Sequence, residues 1–421
     1  MATTRSFNAM LNEYLPNELF EEEMIERSYF FNKVEKDNGW KDGDLIVPFV
    51  GAGASSVSFG SLTAANDVAE DQFVRGKITA PAPEIWGTML FNSKDLKEHD
   101  GKIPESTFLR LIPDRVESFM RYMKEVVSVA LLTGESFAKV TVETDLANGI
   151  VQVDHVDRFR LGQKVSLDDD NSTATAYYVI AININGATVS QSTGTVTLSA
   201  TRGGAAANIS AYTLAQNAKF YHPGQQGASF TSLRSALLSL ANGGSTTIHG
   251  QTKTAYPILQ AVNVSGSAVT ATNILDKILD AWTEVKRRGK GNANTIVLSY
   301  KHLGSILKLI ELAKGPYKVS AGATKASLYG WTEIEINSVR GPLTIAAVQE
   351  MDDDVIFFID WSSLKFFTNG LFRREKSPDG NEYFAVRNTT GYQYLVDQVL
   401  FGELQVAIPG QCGVMHSIPN Y

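Results

Sequence analysis

A chain of 421 residues exceeds what one hydrophobic core usually supports, so two or three domains are expected. Its 43% hydrophobic and 20% charged residues are typical of a globular protein and exclude a disordered or fibrous chain. A net charge of −7 argues against a general nucleic-acid-binding protein. The single cysteine, Cys412, excludes a disulfide framework and a cysteine-rich metal site, and we expect it to be a buried, inert thiol.

The sequence shows neither a secretion signal nor a membrane-spanning run. The N-terminus lacks the basic and then apolar pattern of a signal peptide, and no later run approaches the roughly 20 apolar residues that cross a bilayer. We therefore expect a protein that is made and folds in a cytosol and has no membrane partner.

The first predicted element is a helix over residues 15–36, which ends before Gly39. Its apolar stripe is weak, and the acidic residues near its start suit the positive end of the helix dipole. Such a helix has little apolar surface of its own to bury.

Two β segments follow, over residues 44–59 and 72–80. In the second segment Arg75 and Lys77 alternate with small or apolar residues, so one face is polar and the other is thinly apolar. A two-stranded ribbon of this kind is marginal by itself in water. The pattern predicts that the ribbon lies against something outside itself.

The glycines at the centre of the first β segment raise the question of a phosphate-binding loop. Such a loop leads directly into a helix whose N-terminal amides face the phosphates. After Gly51 and Gly53, however, Val57 and Phe59 continue in strand alternation, and no Gly-Lys-Ser/Thr follows. The sequence favours a flexible kink between two β segments over a nucleotide site.

The strongest helical pattern comes next. Apolar residues recur at steps of three and four, which places them on one face of a long α-helix. They are Phe108, Ile112, Val116, Phe119, Met123, Val127 and Ala130. Gly134 predicts its end, and the charged residues on its other faces exclude a membrane helix.

Residues 137–213 are rich in Val, Ile, Thr, Gly and Asn and read as short strands separated by turns. The regular spacing predicts a small antiparallel β module of about 60 residues, inserted into the main domain. From residue 230 onward helices and strands mix, and the C-terminal part returns to strands with alternating aromatic and polar residues.

No pattern predicts an active site, a metal site or a cofactor site. The six histidines are scattered without metal-site spacing, and there is no Gly-x-Ser-x-Gly elbow. The aspartate runs Asp168–Asp170 and Asp352–Asp354 lack the spacing of a calcium loop, so solvated turns are favoured over cation sites. The basic run Lys286–Lys290 is favoured as a helix C-terminal cap, with phosphate contact as the alternative.

The ribbon and the N-terminal helix are too polar and too elongated to be folded by their own burial, yet their composition is not that of disordered linkers. They are expected to be arms that neighbouring copies of the chain order.

The order of elements identifies a family resemblance. An arm, an extended loop and a long helix after an acidic linker, in LKEHDGKIPESTFLRLIPDRVESFMRYMKEVV, are followed by a mixed domain. The C-terminal third carries GPLTIAAVQEMDDDVIFFIDWSSLKFFTNGLF and PDGNEYFAVRNTTGYQYLVDQVLFGELQVAIPGQCGVMHSI. This order and texture resemble the major capsid proteins of tailed double-stranded DNA bacteriophages, which share the Hong Kong ninety-seven fold.

The resemblance implies an α+β fold with an inserted small antiparallel β domain. The implied divisions are an N-terminal arm (1–40), an extended β loop (41–95), a peripheral domain with its spine helix (96–147), the inserted β domain (148–213), a mainly axial domain (214–380) and return strands to the peripheral domain (381–421).

The resemblance also implies a structural, non-enzymatic role without cofactors: self-assembly into pentamers and hexamers of an icosahedral head. The implied partners are copies of the chain, a separate scaffolding protein, a portal at one vertex, decoration proteins, and packaged DNA on the inner face. The implied place is the virion, after assembly in the host bacterial cytoplasm. Inter-subunit contact candidates are Arg75, Lys77, Val57, Phe59, Glu70, Asp71, Phe20 and Met24.

Two rival functions remain in view. The Thr/Gly/Asn-rich β module is also compatible with a tail or adhesion protein of a virion, although fibre-type β repeats would not include a single long amphipathic helix. A nucleotide-dependent enzyme using Gly51 and Gly53 is the third reading.

Overall fold

The computed structural model describes most of the chain. The described residues are 17–40, 43–49, 74–79, 83–92, 105–134, 136–168, 175–184, 194–209, 218–226, 230–289, 292–313, 320–321, 331–338, 341–388 and 391–419.

Helices and strands both contribute, as expected for the α+β class. The helices are α1 (Asn17–Arg27), α2 (Tyr29–Lys33), α3 (Glu105–Leu132), α4 (Leu233–Leu237), α5 (Ile274–Gly289) and α6 (Tyr300–Ala313). The strands are β1 (Glu35–Asp37), β2 (Leu45–Phe49), β3 (Val74–Ile78), β4 (Glu84–Asn92), β5 (Ala138–Asp145), β6 (Ile150–Val153), β7 (Lys164–Leu167), β8 (Thr175–Asn183), β9 (Gly194–Ser199), β10 (Lys219–Tyr221), β11 (Thr247–Ile248), β12 (Gln251–Thr252), β13 (Val262–Ser265), β14 (Thr295–Leu298), β15 (Ser320–Ala321), β16 (Trp331–Ser338), β17 (Gly341–Val348), β18 (Val355–Ile359), β19 (Leu364–Phe367), β20 (Phe372–Arg374), β21 (Phe384–Asn388), β22 (Gly391–Phe401), β23 (Glu403–Val406) and β24 (Gly413–His416). None of the helices in these ranges is long and apolar enough to cross a membrane.

A mixed seven-stranded sheet, the central sheet, has the strand order β13-β24-β18-β14-β17-β16-β15. Alternate residues of its strands belong to two different hydrophobic clusters, because successive side chains in a strand point to opposite faces. In β18, for example, Ile356 and Phe358 pack with α5 and α6, whereas Phe357 packs into the larger core on the other face. Both faces are covered, which explains the nearly continuous apolar sequence of the inner strands.

The long helix predicted from the apolar repeat is α3, of 28 residues. It packs on a four-stranded sheet, the side sheet, in which β22 pairs with β4 and also with β20 and β21. Gly87 of β4 permits close packing, because a Cβ there would lie 2.4 Å from Met123 Sδ and 2.6 Å from Phe119 Cζ.

The N-terminal segment corrects the expectation of an arm ordered only by neighbours. The predicted helix over 15–36 is two helices, with Ser28 Oγ accepting a hydrogen bond from the Phe31 amide at the start of the second. Tyr29, Phe30 and Phe31 are each at most 2% exposed and lie in the larger core of their own chain. The Phe31 ring meets Phe366 edge to face at 5.1 Å. The expectation was wrong for residues 17–40 because these aromatic side chains supply the burial that the acidic first half lacks.

The inserted module is a closed six-stranded barrel of order β10-β5-β6-β9-β8-β7 with its own hydrophobic core. Its strands run from residue 138 to residue 221, so the barrel is longer than the expected 148–213. The difference arises at both ends: β5 follows α3 almost directly, and the three-residue β10 pairs with both β5 and β7 to close the barrel.

The C-terminal strands do not all return to one sheet. Strand β24 lies inside the central sheet between β13 and β18. Strand β22 lies in the side sheet, where it pairs with β4, a strand within the range 41–95 that the resemblance assigns to the extended loop.

Candidate functional site

The ribbon of β2 and β3 has an inner and an outer face. The strands pair antiparallel, with Ile46 opposite Lys77 and Pro48 opposite Arg75. These four residues are exposed on the outer face, where Ile46 keeps 64% of its surface. The outer face therefore combines two cations with an apolar side chain that this chain does not cover.

The inner face packs on the same chain. Val47 and Ile78 form a small cluster with Trp40, and the Trp40 ring lies 5.5 Å from the ring of Phe401. Phe49 is fully buried in the larger core. The described base of the ribbon thus lies against its own subunit, which corrects the expectation that neighbouring copies of the chain order it.

The sequence candidates fall into three groups. Arg75 and Lys77 lie together on the outer face, and Lys77 Nζ forms an ion pair with Asp44 Oδ2 at 2.5 Å. Met24 is fully buried in the larger core, so its side chain stabilises the subunit itself. Phe20 belongs to α1. The other candidates and the two loop glycines lie outside the described residues: Val57, Phe59, Glu70, Asp71, Gly51 and Gly53.

A groove of about 1260 Å³ lies between β4, α3 and the barrel turn at residues 160–164. Three of its lining residues carry exposed apolar side chains: Trp86 at 54%, Leu90 at 43% and Leu161 at 69%. Trp86 and Leu90 alternate along β4 with residues that face α3, such as Gly87, so these two side chains lie on the face of β4 away from that helix. Its lining residues carry charges of both signs: the carboxylates are Glu84, Asp114 and Glu117, and the cations are Arg115, Arg121, Arg160, Lys164 and Arg202. Exposed apolar side chains beside charged residues are typical of a protein-binding surface.

The barrel is attached to the body by a buried group of charges around Asp352. Arg158 of the barrel is 6% exposed and donates from Nη2 to Asp352 Oδ1 at 3.0 Å. Arg234 of α4 donates from Nη1 to Asp352 Oδ2 at 3.1 Å, and from Nη2 to Asp354 Oδ2 at 2.6 Å. His155 Nε2 lies 3.2 Å from Asp352 Oδ1. One carboxylate thus holds the barrel and a helix of the body together.

Burial alone would raise the pKa of Asp352, but Arg158, His155 and Arg234 outweigh it and hold that pKa well below its usual range. The carboxylate therefore stays ionised at neutral and mildly acidic pH. The expectation of a solvated turn at Asp352–Asp354 is wrong for Asp352, because its arginine partners come from segments remote in sequence.

A second buried ion pair continues this attachment. Lys124 of α3 lies 2.6 Å from Glu350 Oε1, with side chains 11% and 5% exposed. The backbone oxygen of Glu350 accepts a hydrogen bond from Arg158 Nη2 at 2.9 Å. We call Lys124, Arg158, Arg234 and the turn Glu350–Asp354 the barrel anchor. It joins the barrel, the long helix and the central sheet at one turn.

The remaining polar candidates have structural roles. Arg287 and Arg288 pair with Glu284 at the exposed end of α5, in line with the cap reading of the basic run. The Cys412 thiol is buried, and its burial raises its pKa to about 11. Within the part of the chain that the structure describes, no three His, Cys, Asp or Glu side chains form a group that could hold a metal ion.

No protein-family model matches the sequence, and no curated protein matches it. The structure is similar to the capsid asymmetric unit of cyanophage A-1(L), with a TM-score of 0.48 and 10% identity over 99% of this chain and 99% of that chain. It is similar to the capsid of a native GTA particle, with a TM-score of 0.45 and 10% identity over 94% and 91%. A third similar structure is the satellite phage P4 procapsid including the size determination (Sid) protein. Its TM-score is 0.42, with 10% identity over 96% of this chain and 90% of that chain. All three are capsids, the class to which the sequence resemblance points. Each TM-score is below 0.5, so the function of this chain is argued from its own residues and geometry.

Proposed function

We propose that this chain is the major capsid protein of a tailed bacteriophage, a structural protein that assembles with copies of itself into an icosahedral head. One observation carries the proposal. The described elements occur in the order that the resemblance implies: N-terminal helices, a ribbon, a long helix on a sheet, an inserted β barrel and a central sheet that C-terminal strands complete.

The outer face of the ribbon supports assembly as the role. Ile46 is 64% exposed beside the cations of Arg75 and Lys77, and burying this face against a second copy would remove apolar surface from water. Each such contact is weak by itself. Repeated around a closed symmetric shell, weak contacts add to a stable assembly.

The groove between β4, α3 and the barrel is the proposed receiving surface for the ribbon of an adjacent copy. Leu161 offers exposed apolar area, and burying it against the ribbon would remove it from water. Three carboxylates among the lining residues, Glu84, Asp114 and Glu117, are opposite in sign to the ribbon cations, but the lining also holds five Arg and Lys residues, so apolar contact rather than charge supports this docking. A ribbon that leaves one subunit and binds the next is a heterologous contact, which closes into the rings from which pentamers and hexamers form.

The finer partners belong to the same proposal. Assembly uses a separate scaffolding protein, a portal occupies one vertex, decoration proteins bind the outside, and DNA is packed against the inner face. The net charge of −7 suits a wall that does not hold the packaged DNA tightly, because strong phosphate contacts would trap it.

Charge reversal on the ribbon tests the proposal. The double variant Arg75→Glu/Lys77→Glu should fold as wild type does, because both side chains are exposed, and should form far fewer shells in negative-stain microscopy. The control is Lys308→Glu/Lys376→Glu, which makes the same charge change at exposed positions in α6 and after β20. Normal shells from the ribbon variant would contradict the ribbon contact, and wild-type protein that forms no shells or capsomer rings would contradict the capsid function.

A further inference from the structure

The hairpin of β11 and β12 turns on an unusual residue pair. Thr247 pairs with Thr252 and Ile248 with Gln251, which leaves His249 and Gly250 as the two turn residues. Their φ angles are +47° and +77°, both in the left-handed region. Two-residue turns of this type favour asparagine and glycine, because glycine has no Cβ and the short polar side chain of asparagine is tolerated in the left-handed region. A histidine in this conformation calls for a reason outside the turn.

The strained residue presents its backbone to the ribbon. The carbonyl oxygen of His249 accepts a hydrogen bond from the Lys77 amide at 2.9 Å. Two residues on, Gln251 Nε2 donates to the carbonyl oxygen of Arg75 at 2.8 Å. The hairpin tip therefore binds two successive outward-facing backbone groups along the edge of β3.

The imidazole of His249 completes the contact. It stacks on the Phe49 ring with centroids 6.1 Å apart and an angle of 22° between the planes. Phe49 belongs to β2, and the hairpin consequently holds both strands of the ribbon.

Gly76 is the residue that allows this approach. A Cβ at Gly76 would lie 2.3 Å from Phe49 Cε2 and 3.1 Å from His249 Cβ. Any larger residue there would push the Phe49 ring away from the histidine. The glycine between Arg75 and Lys77 thus has a packing role at the point where the ribbon meets the hairpin.

We propose that the hairpin Thr247–Thr252 is a latch that fixes the direction in which the ribbon leaves the subunit. A two-stranded ribbon free at its base would sample many directions, and binding a neighbour would then cost the entropy of selecting one of them. The latch removes that freedom before assembly. The consequence for the shell rests on the proposed function, because the direction of the ribbon decides where the next subunit sits.

Hydrogen exchange on purified, unassembled subunits tests the latch itself. The variants are Gly76→Ala, which displaces the Phe49 ring, and His249→Asn, which keeps a residue suited to the left-handed turn and removes the stack. We expect the amides of residues 74–78 to exchange at least about tenfold faster in both variants, with the amides of α3 unchanged. His416→Asn, at a histidine remote from the ribbon, is the control. Unchanged exchange at 74–78 in both variants would overturn the proposal.

Electron microscopy of assembled material tests the consequence. If wild-type protein forms shells of uniform diameter, the two variants should give a mixture of diameters and open or aberrant forms. Variant shells with the wild-type diameter distribution would overturn the role of the latch in setting direction. If the wild-type protein forms no shells, the proposed function fails, and the exchange measurement alone decides whether the latch exists.

Discussion

The barrel and the ribbon are both attached to the body of the subunit, but by different means. The barrel anchor consists of buried charges: Arg158 is 6% exposed and is shared between Asp352 and two backbone oxygens. The base of the ribbon is held by one backbone hydrogen bond, one hydrogen bond from the Gln251 side chain to a backbone oxygen, an aromatic stack and a small apolar cluster. Its charges, Arg75 and Lys77, point outward.

The two attachments differ in how strongly the loss of one contact destabilises the subunit. A buried charge that loses one of its partners is left with an incomplete set of contacts in a medium of low polarity, so breaking the barrel anchor is strongly destabilising. The ribbon contacts are individually weaker and involve less buried charge, so they can open locally without unfolding the subunit. The barrel is thus fixed as part of the subunit, whereas the ribbon is set in place and still able to adjust to a neighbour.

The largest loss of stability is expected when the barrel anchor is broken. Arg158→Met leaves Asp352 and the carbonyl oxygens of Phe137 and Glu350 without this donor. We expect the free energy of unfolding to fall by about 3 to 5 kcal/mol. Denaturant unfolding of unassembled subunits, followed by intrinsic fluorescence, measures it.

The matched control is Arg160→Met on the same barrel turn. Arg160 also pairs with a carboxylate, Glu125 Oε2 at 2.6 Å, but its side chain is 51% exposed. Its loss should change the free energy of unfolding by no more than about 1 kcal/mol. Equal losses in the two variants would mean that burial does not distinguish the anchor from an ordinary surface pair.

An intermediate loss of stability is expected on acidification. It should occur at the base of the ribbon and not at the barrel anchor. Burial lowers the pKa of His249 from 6.5 to about 4. Since the folded pKa is the lower one, stability that is present above pH 6.5 is lost as the pH falls towards 4. At pH 5 the loss is about 2 kcal/mol. Asp352 stays ionised over this range, because its pKa is held well below the usual value.

Hydrogen exchange, corrected for the pH dependence of the intrinsic rate, measures this effect. Amides of residues 74–78 should lose protection between neutral pH and pH 5, while amides of the barrel next to Arg158 should keep theirs. In the His249→Asn variant, the protection of the amides of residues 74–78 should no longer depend on pH over this range. Parallel loss at both places would show that the two attachments are not independent.

The smallest change in the free energy of unfolding is expected when Lys77, on the outer face of the ribbon, loses its charge. The Lys77–Asp44 pair has side chains 56% and 40% exposed. Lys77→Met should therefore change the free energy of unfolding by less than about 1 kcal/mol, and salt should remove most of the difference. A larger loss in denaturant unfolding would indicate that this charge holds the ribbon to its own subunit.

Local patterns predicted the elements whose signal lies in one stretch of sequence. The apolar repeat from Phe108 to Ala130 predicted α3, which is Glu105–Leu132. Alternation and turn residues predicted the strands of the barrel. The closing strand β10 was missed because three residues, Lys219–Tyr221, are too few to show a period.

Features that depend on remote partners were not accessible from local patterns. Asp352 appears in sequence as part of an acidic turn, and its partners Arg234 and Arg158 lie 118 and 194 positions away. The same holds for the latch, since nothing in the sequence around His249 indicates that its turn meets Lys77. The outer face of the ribbon was predictable because the alternation of Arg75 and Lys77 is local.

The pairing of β22 with β4 bears on the order in which the chain is synthesised. Thr88 of β4 donates to Asp397 of β22 at 2.6 Å across 309 positions of sequence. On the ribosome, β4 and the apolar face of α3 consequently wait for a strand translated several hundred residues later. An unfinished polypeptide lacks the strand that completes this sheet, so we expect the side sheet to form only after residues 391–401 have been synthesised.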